Sequence, residues 1–142
     1  MIKKTDLAYM AGMIDGDGSI VISTNKSRKS LAGQMKACAC NSNKDVLLFM
    51  QLHFGGYICA SNSHLKYPWQ KPQYQWTVAS QKALVFLEAI SPFLRIKKAQ
   101  AEIAMTFQRQ RRNKGCKLTE EEKAVAEAQR IVMAKLNKKG VH

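Results

Sequence analysis

Met10-Ala11-Gly12-Met13-Ile14-Asp15-Gly16-Asp17-Gly18 is the stretch on which the reading of this chain turns. Just ahead of it, Thr5 and Asp6 supply oxygens that can accept hydrogen bonds from the free N–H groups of a first helical turn. Leu7, Met10, Ala11 and Ile14 recur at helical spacing, which predicts a short helix running into Asp15. Ala8, Ala11 and Gly12 leave this helix almost bare of side-chain bulk on one side, where a partner backbone can approach closely. Two glycines alternating with two acids end it. Glycine admits positive φ and close approach, so both carboxylates hang at a helix terminus. A carboxylate and neighbouring carbonyls at such an end make a hard, all-oxygen site suited to Mg²⁺.

After Gly18 the period changes to two. Ile20, Ile22 and Thr24 fall on one side of a strand, and Val21, Ser23 and Asn25 on the other. A polar, basic loop over 25–30 leads to a second strand, with Met35, Ala37 and Ala39 on one face and Gln34, Lys36, Cys38 and Cys40 on the other. Asn41-Ser42-Asn43 offers caps for a helix over about 44–54 with Val46, Leu47, Met50 and Phe54 inward, stopped by Gly55-Gly56. A second hairpin follows, in which Tyr74, Trp76 and Val78 face the core and Gln73, Gln75 and Thr77 stay exposed. Tyr57 and Trp76 are read as core or half-core rings rather than as platforms for bases. Ser80 is read as the cap of a helix whose Ala83, Leu84, Leu87 and Ile90 point inward and which Pro92 ends. From about Lys97 a further helix carries Ile103 and Phe107 inward. Thr119 and Glu122 make a capping box for a last helix, with Val125, Ala128, Val132 and Leu136 on its apolar face. The order helix, hairpin, helix, hairpin, helices gives an α+β fold, with helices on one face of a single antiparallel sheet.

The chain has 142 residues, a size that suits one domain with a real core. The domain core is expected over about 5–110, with a helical extension over about 118–138. A formal net charge of +13 speaks of partners rather than of fold, nucleic acid first and an anionic membrane second. Between Gly18 and Leu87 the only carboxylate is Asp45, against Lys26, Arg28, Lys29, Lys36, Lys44, Lys66, Lys71 and Lys82. Surfaces normally mix signs, and one sign over this length suits a face made for phosphates. No apolar run approaches a membrane span and no signal-peptide core is visible. The expected location is the cytoplasm or nucleoid, or a chloroplast or mitochondrion if the gene is organellar. The cysteines Cys38, Cys40, Cys59 and Cys116 lack the paired spacing of a zinc site, and the three histidines are scattered.

The nine-residue stretch resembles the signature of the LAGLIDADG homing endonucleases, matching at Ala11, Gly12, Ile14, Asp15, Asp17 and Gly18, with Met in place of Leu twice and Gly16 in place of Ala. The element order is also the αββαββα order of that family from about Leu7 to Phe107. The resemblance implies a sequence-specific, metal-dependent double-strand DNA endonuclease that hydrolyses phosphodiester bonds on a long pseudo-palindromic site. One motif copy and no internal repeat imply a homodimer, with motif helices meeting through Ala8, Ala11 and Gly12. By the same resemblance Asp17 and the Gly16 carbonyl hold the metal, while Asp15 belongs to the turn. Lys97 matches the family's active-site lysine, with Lys98 as the competing neighbour. Asn41 matches the polar residue that orders the attacking water, in a register that could slip to Asn43. The implied cofactor is Mg²⁺, two or three ions per dimer active centre with Mn²⁺ as a substitute, and no small-molecule cofactor or membrane is expected.

Base reading is expected from Ser23, Asn25, Gln34, Lys36, Gln73, Gln75 and Thr77 on the polar sheet face laid in the major groove. Arg28 and Lys29 are expected on backbone phosphates. Two other functions fit the same scaffold: an intron maturase or RNA-binding splicing helper, and a DNA-binding regulator that no longer cuts.

Overall fold

A computed structural model describes residues 2–23, 33–61, 66–110 and 119–138. Helix α1 spans Lys4–Asp17, two residues beyond the expected end, and leads directly into strand β1, Gly18–Ser23. Its N-cap is Lys3, whose backbone N–H donates to the Asp6 carboxylate at 3.2 Å. Strand β2 is Gln34–Asn41, helix α2 Lys44–Phe54, and strands β3 and β4 are Tyr57–Ala60 and Tyr74–Ala79. Helix α3 (Ser80–Ile90), a 3₁₀ turn (Ser91–Phe93), helix α4 (Lys98–Arg109) and helix α5 (Glu120–Leu136) complete the chain. The four strands form one antiparallel sheet in the order β1-β2-β4-β3. This is the expected α+β fold.

The period-two patterns place the core on one sheet face. Ile20, Ile22, Met35, Ala37, Ala39, Trp76 and Val78 are buried there, against Met10, Ala11 and Ile14 of α1 and the inward residues of α2, α3 and α4. Trp76 and Phe86 meet edge to face at 4.9 Å, and Phe86 meets Phe54 at 5.0 Å, a favoured aromatic geometry. The Trp76 indole N–H donates to the Gly55 carbonyl at 2.8 Å. Gly55 and Gly56 have φ of 75° and 89°, which only glycine adopts freely.

Of the two uses a glycine offers here, positive φ and close approach, Gly18 serves the second. Its φ is −104°, but a Cβ there would lie 2.6 Å from the Ile14 Cα and 2.7 Å from the Cys38 carbonyl oxygen. The motif glycine lets helix and sheet touch; it does not supply an unusual φ.

Ser80 does not cap α3 with its side chain. It sits at φ 54°, a strained value for a residue with a Cβ, and its hydroxyl accepts a bond from Gln34 Nε2 at 3.3 Å.

The last helix is turned the other way from its apolar pattern. Met133 is buried and Ala126 half-buried against the core, while Val125, Val132 and Leu136 are exposed. Asn137, just past its end, donates from Nδ2 to the Ile20 carbonyl of β1 at 2.7 Å. The burial of Met133 and Ala126 against the core and the Asn137 bond to the β1 edge thus define this orientation. Among the described residues no helix is long and apolar enough to cross a membrane.

Candidate active site

Asp15 anchors the site. Its carboxylate accepts the backbone N–H of Arg95 at 2.8 Å and of Lys97 at 2.9 Å. The Lys97 ammonium in turn donates to the Asp15 carbonyl at 2.9 Å. Burial pulls the Asp15 carboxyl upward, but the N–H groups of Arg95, Lys97 and Ile96 and the Lys97 charge outweigh it. The net result lies below the ordinary carboxylate value. Asp15 is therefore a structural tie between the end of α1 and the turn before α4. Lys97 is the lysine brought to the motif helix, half-buried, whereas Lys98 begins α4 and is exposed.

Asp17, two residues on, is exposed at the last position of α1. Gly16 is exposed in the same turn, where carbonyls run out of intrahelical partners, and the terminus carries the negative end of the helix dipole. The donor set is a free carboxylate and peptide oxygens, which fits Mg²⁺ or Ca²⁺ and not a soft metal. Among the described residues no three His, Cys, Asp or Glu side chains cluster.

Asn41 ends β2 close to the motif, since Ala39 pairs with Gly18. Its side-chain oxygen accepts the Asn43 backbone N–H at 2.8 Å, and Asn43 caps α2 through the Asp45 N–H at 3.0 Å. The Asn41 oxygen is thus committed to a local turn, and a water there would meet its NH₂ donor. Cys40, not singled out from the sequence, is the β2 side chain that feels Asp17. Burial, then Cys38 and the Asp17 carboxylate, push its thiol above the ordinary value. Period-two parity on β2 was the available signal for it.

The open sheet face carries most of the expected readers. Ser23, Gln34, Lys36 and Gln75 lie on it by register, with Gln34 and Gln75 exposed; Gln73 is exposed at the foot of the second hairpin. Asn25, Arg28 and Lys29 lie outside the described residues. Thr77 is a correction: it is 4% exposed, its hydroxyl 3.6 Å from Cys38 Sγ and accepting from Gln75 Nε2 at 3.4 Å. It has the right parity but sits between Cys38 and Tyr57 on the neighbouring strands, which cover it. Tyr57 is the converse correction, half-exposed on this face rather than in the core.

Known structures share this fold. The homing endonuclease I-CvuI in complex with its target matches with a TM-score of 0.75 and 18% identity, over 98% of this chain and 87% of that one. An archaeal intron-encoded homing endonuclease complexed with DNA matches with a TM-score of 0.71 and 21% identity, over 97% and 87%. The fold is that of the LAGLIDADG homing endonucleases. The LAGLIDADG enzyme I-GzeII in complex with its DNA target matches all of this chain with 47% of its own length, at a TM-score of 0.66 and 18% identity. No family model and no curated protein matches the sequence.

Within that LAGLIDADG fold, α1 presents a bare outer stripe, but not the one the sequence suggested. Ala11 is fully buried within this chain, as Met10 and Ile14 are. Ala8, Gly12 and Gly16 are exposed, every fourth residue, and a Cβ on Gly12 or Gly16 would meet nothing within 4 Å. The inward face Leu7-Met10-Ala11-Ile14 had already claimed Ala11, and the neighbouring i, i+4 row is the free one.

Proposed function

We propose that this chain is a sequence-specific double-strand DNA endonuclease that hydrolyses phosphodiester bonds with Mg²⁺ as a homodimer. The observation that carries this reading is the end of α1. There an exposed carboxylate, Asp17, follows two residues after Asp15, whose carbonyl holds the Lys97 ammonium at 2.9 Å, at the rim of a sheet face with no acid on its strands. A DNA-binding regulator has no need of an acid aimed at phosphate, so Asp17 favours cleavage over repression.

Asp17 and the Gly16 carbonyl would hold the ion, which when bound supplies charge neutralisation at phosphorus and an acidified water. Lys97 contributes a positive charge held at a fixed point by the Asp15 carbonyl, suited to the charge that builds on a phosphate under attack. Asn41 donates to a water from its NH₂ group and so orients that water without removing its proton. I-CvuI complexes with DNA were determined in the presence of 2 mM Ca and of 2 mM Mg, which supports a divalent ion here while leaving its number open to titration.

The homodimer rests on the single Asp17 and on the stripe Ala8, Gly12 and Gly16. Two such helices crossing at their bare faces bring two copies of Asp17 near one axis, one for each DNA strand. The open sheet faces would then follow the major groove on either side, with Gln34, Lys36, Gln73 and Gln75 reading base edges. The test is selection of cleaved molecules from a randomised duplex library with Mg²⁺. Recovery of one pseudo-palindromic site with double-strand cuts is the expected result. Recovery of no cut duplex, together with tight binding to an intron RNA, would favour the splicing role instead.

A further inference from the structure

Seven residues of the β3–β4 connection, Lys66-Tyr67-Pro68-Trp69-Gln70-Lys71-Pro72, carry two aromatic rings and two lysines at the surface. The Tyr67 carbonyl accepts the Gln70 N–H at 2.9 Å, closing a turn with Pro68 second and Trp69 third. Proline fixes φ at that second position, and the Ser61 N–H to Gln73 carbonyl bond of 2.7 Å closes the hairpin foot. Trp69 is 78% exposed, and its ring meets Tyr67 edge-on at 5.3 Å. The Lys66 ammonium lies 5.6 Å from the Tyr67 ring centroid. A rigid turn that holds the largest side chain in water, flanked by cations, is poorly explained by folding, since Trp69 buries little of its apolar area here.

The register places this turn. Gly18 is level with Ala39, Trp76 and Ile58, so β1 starts at the same end of the sheet at which β3 stops and β4 begins. The hairpin therefore opens past the strand ends on the side of Asp17, with β4 two and β3 three strand spacings from β1, or about 10–14 Å. Ser23 and Gln34, where β1 ends and β2 begins, pair at the opposite end of the sheet.

We propose that Trp69, backed by Tyr67, wedges into a base step of duplex DNA close to the phosphates that Asp17 faces. Lys66 and Lys71 hold the adjoining backbone. Apolar wedges of this kind partly unstack a step and kink the duplex. Selectivity then arises from how easily that step deforms, without a hydrogen bond to any base. This supplies a discrimination that a sheet face with few arginines does not. The proposal rests on the duplex-DNA reading above, and its failure can be told apart from failure of that reading.

The experiment uses the full chain and a labelled duplex recovered from a randomised pool by binding in Ca²⁺. Trp69 and Trp76 are the only tryptophans, and Trp76 is fully buried, so a DNA-dependent change in emission reports on Trp69. The expected result is quenching on duplex addition that disappears in Trp69→Ala, with affinity falling roughly ten- to a hundred-fold. Trp69→Phe should keep most of the affinity. A mismatch at the wedged step, which lowers the cost of unstacking, should raise wild-type affinity by at least as much as that of Trp69→Ala, so the loss does not shrink. If wild type binds duplex with steep salt dependence while Trp69→Ala binds as tightly and emission does not move, the wedge is wrong and the endonuclease reading stands. If wild type binds no duplex, or its emission responds to single-stranded RNA alone, both are wrong.

Discussion

Lys97 holds Asp15 at both ends of the residue: its backbone N–H donates to the carboxylate and its ammonium to the carbonyl, each at 2.9 Å. Two acids two positions apart thereby take separate work. Asp15 fixes the turn that carries Lys97, and Asp17 is left free at the helix end. Asp15→Asn keeps the shape but replaces a charged acceptor by a neutral one whose NH₂ opposes one of the N–H groups. We expect a loss of about 1–2 kcal/mol, the scale of hydrogen bonds to a charged group discounted for partial exposure, read as a shift in urea midpoint. Cleavage should fall because Lys97 is no longer held, while metal-free DNA binding changes little.

The same tie predicts an acid-dependent stability. Asp15 has its carboxyl depressed in the folded state from an ordinary value near 3.8. The unfolded chain therefore binds the proton first, and the contribution is complete above about pH 5. It is lost as pH falls below 4 through the depressed folded value. The stability difference between wild type and Asp15→Asn should be constant at neutral pH and narrow as pH falls below 4. A difference that grows on acidification would contradict the assignment.

Two motif glycines should respond in opposite ways. Gly18→Ala forces a methyl group onto backbone atoms 2.6 and 2.7 Å away and should destabilise by about 3 kcal/mol or leave the chain unfolded. Gly12→Leu meets nothing in its own protomer, so it should fold with an unchanged or higher melting temperature. If α1 is the dimer contact, that variant is monomeric by light scattering and does not cut. A dimeric, active Gly12→Leu would remove α1 from the interface.

Asn137→Ala removes the bond from α5 to the Ile20 carbonyl at the sheet edge. The expected cost is about 1 kcal/mol, with faster amide exchange confined to α5 and β1. Uniform exchange throughout the molecule would mean that α5 is not separately clamped.

How far the sequence carried depends on which signal was in play. Period-two alternation placed Ile20, Ile22, Met35, Ala37 and Ala39 on the buried face, and Asn43 with Gly55 bounded α2 at the residues observed. Parity names a face but not what neighbouring strands do to it, which is why Thr77 is covered and Tyr57 is not. In α5 two apolar arcs compete, Val125-Val132-Leu136 and Ala126-Met133. The winner buries Met133 and Ala126 against the core and lets Asn137 reach β1, both of them tertiary facts. The resemblance already put Asp15 in the turn and named Lys97. What the sequence could not show is that the turn is held by the Asp15 carboxylate on the N–H groups of Arg95 and Lys97, eighty residues away in the chain.

The central claim is that Asp17 is the metal-holding acid of a nuclease, and gel shift beside cleavage on one selected duplex tests it most directly. Asp17→Asn keeps side-chain shape and removes the charge. It should bind the duplex as tightly as wild type or more tightly, because one negative charge facing phosphate is gone. It should produce no double-strand product in Mg²⁺. Asp17→Asn cutting at the wild-type rate, or wild type cutting equally well in EDTA, would contradict the account.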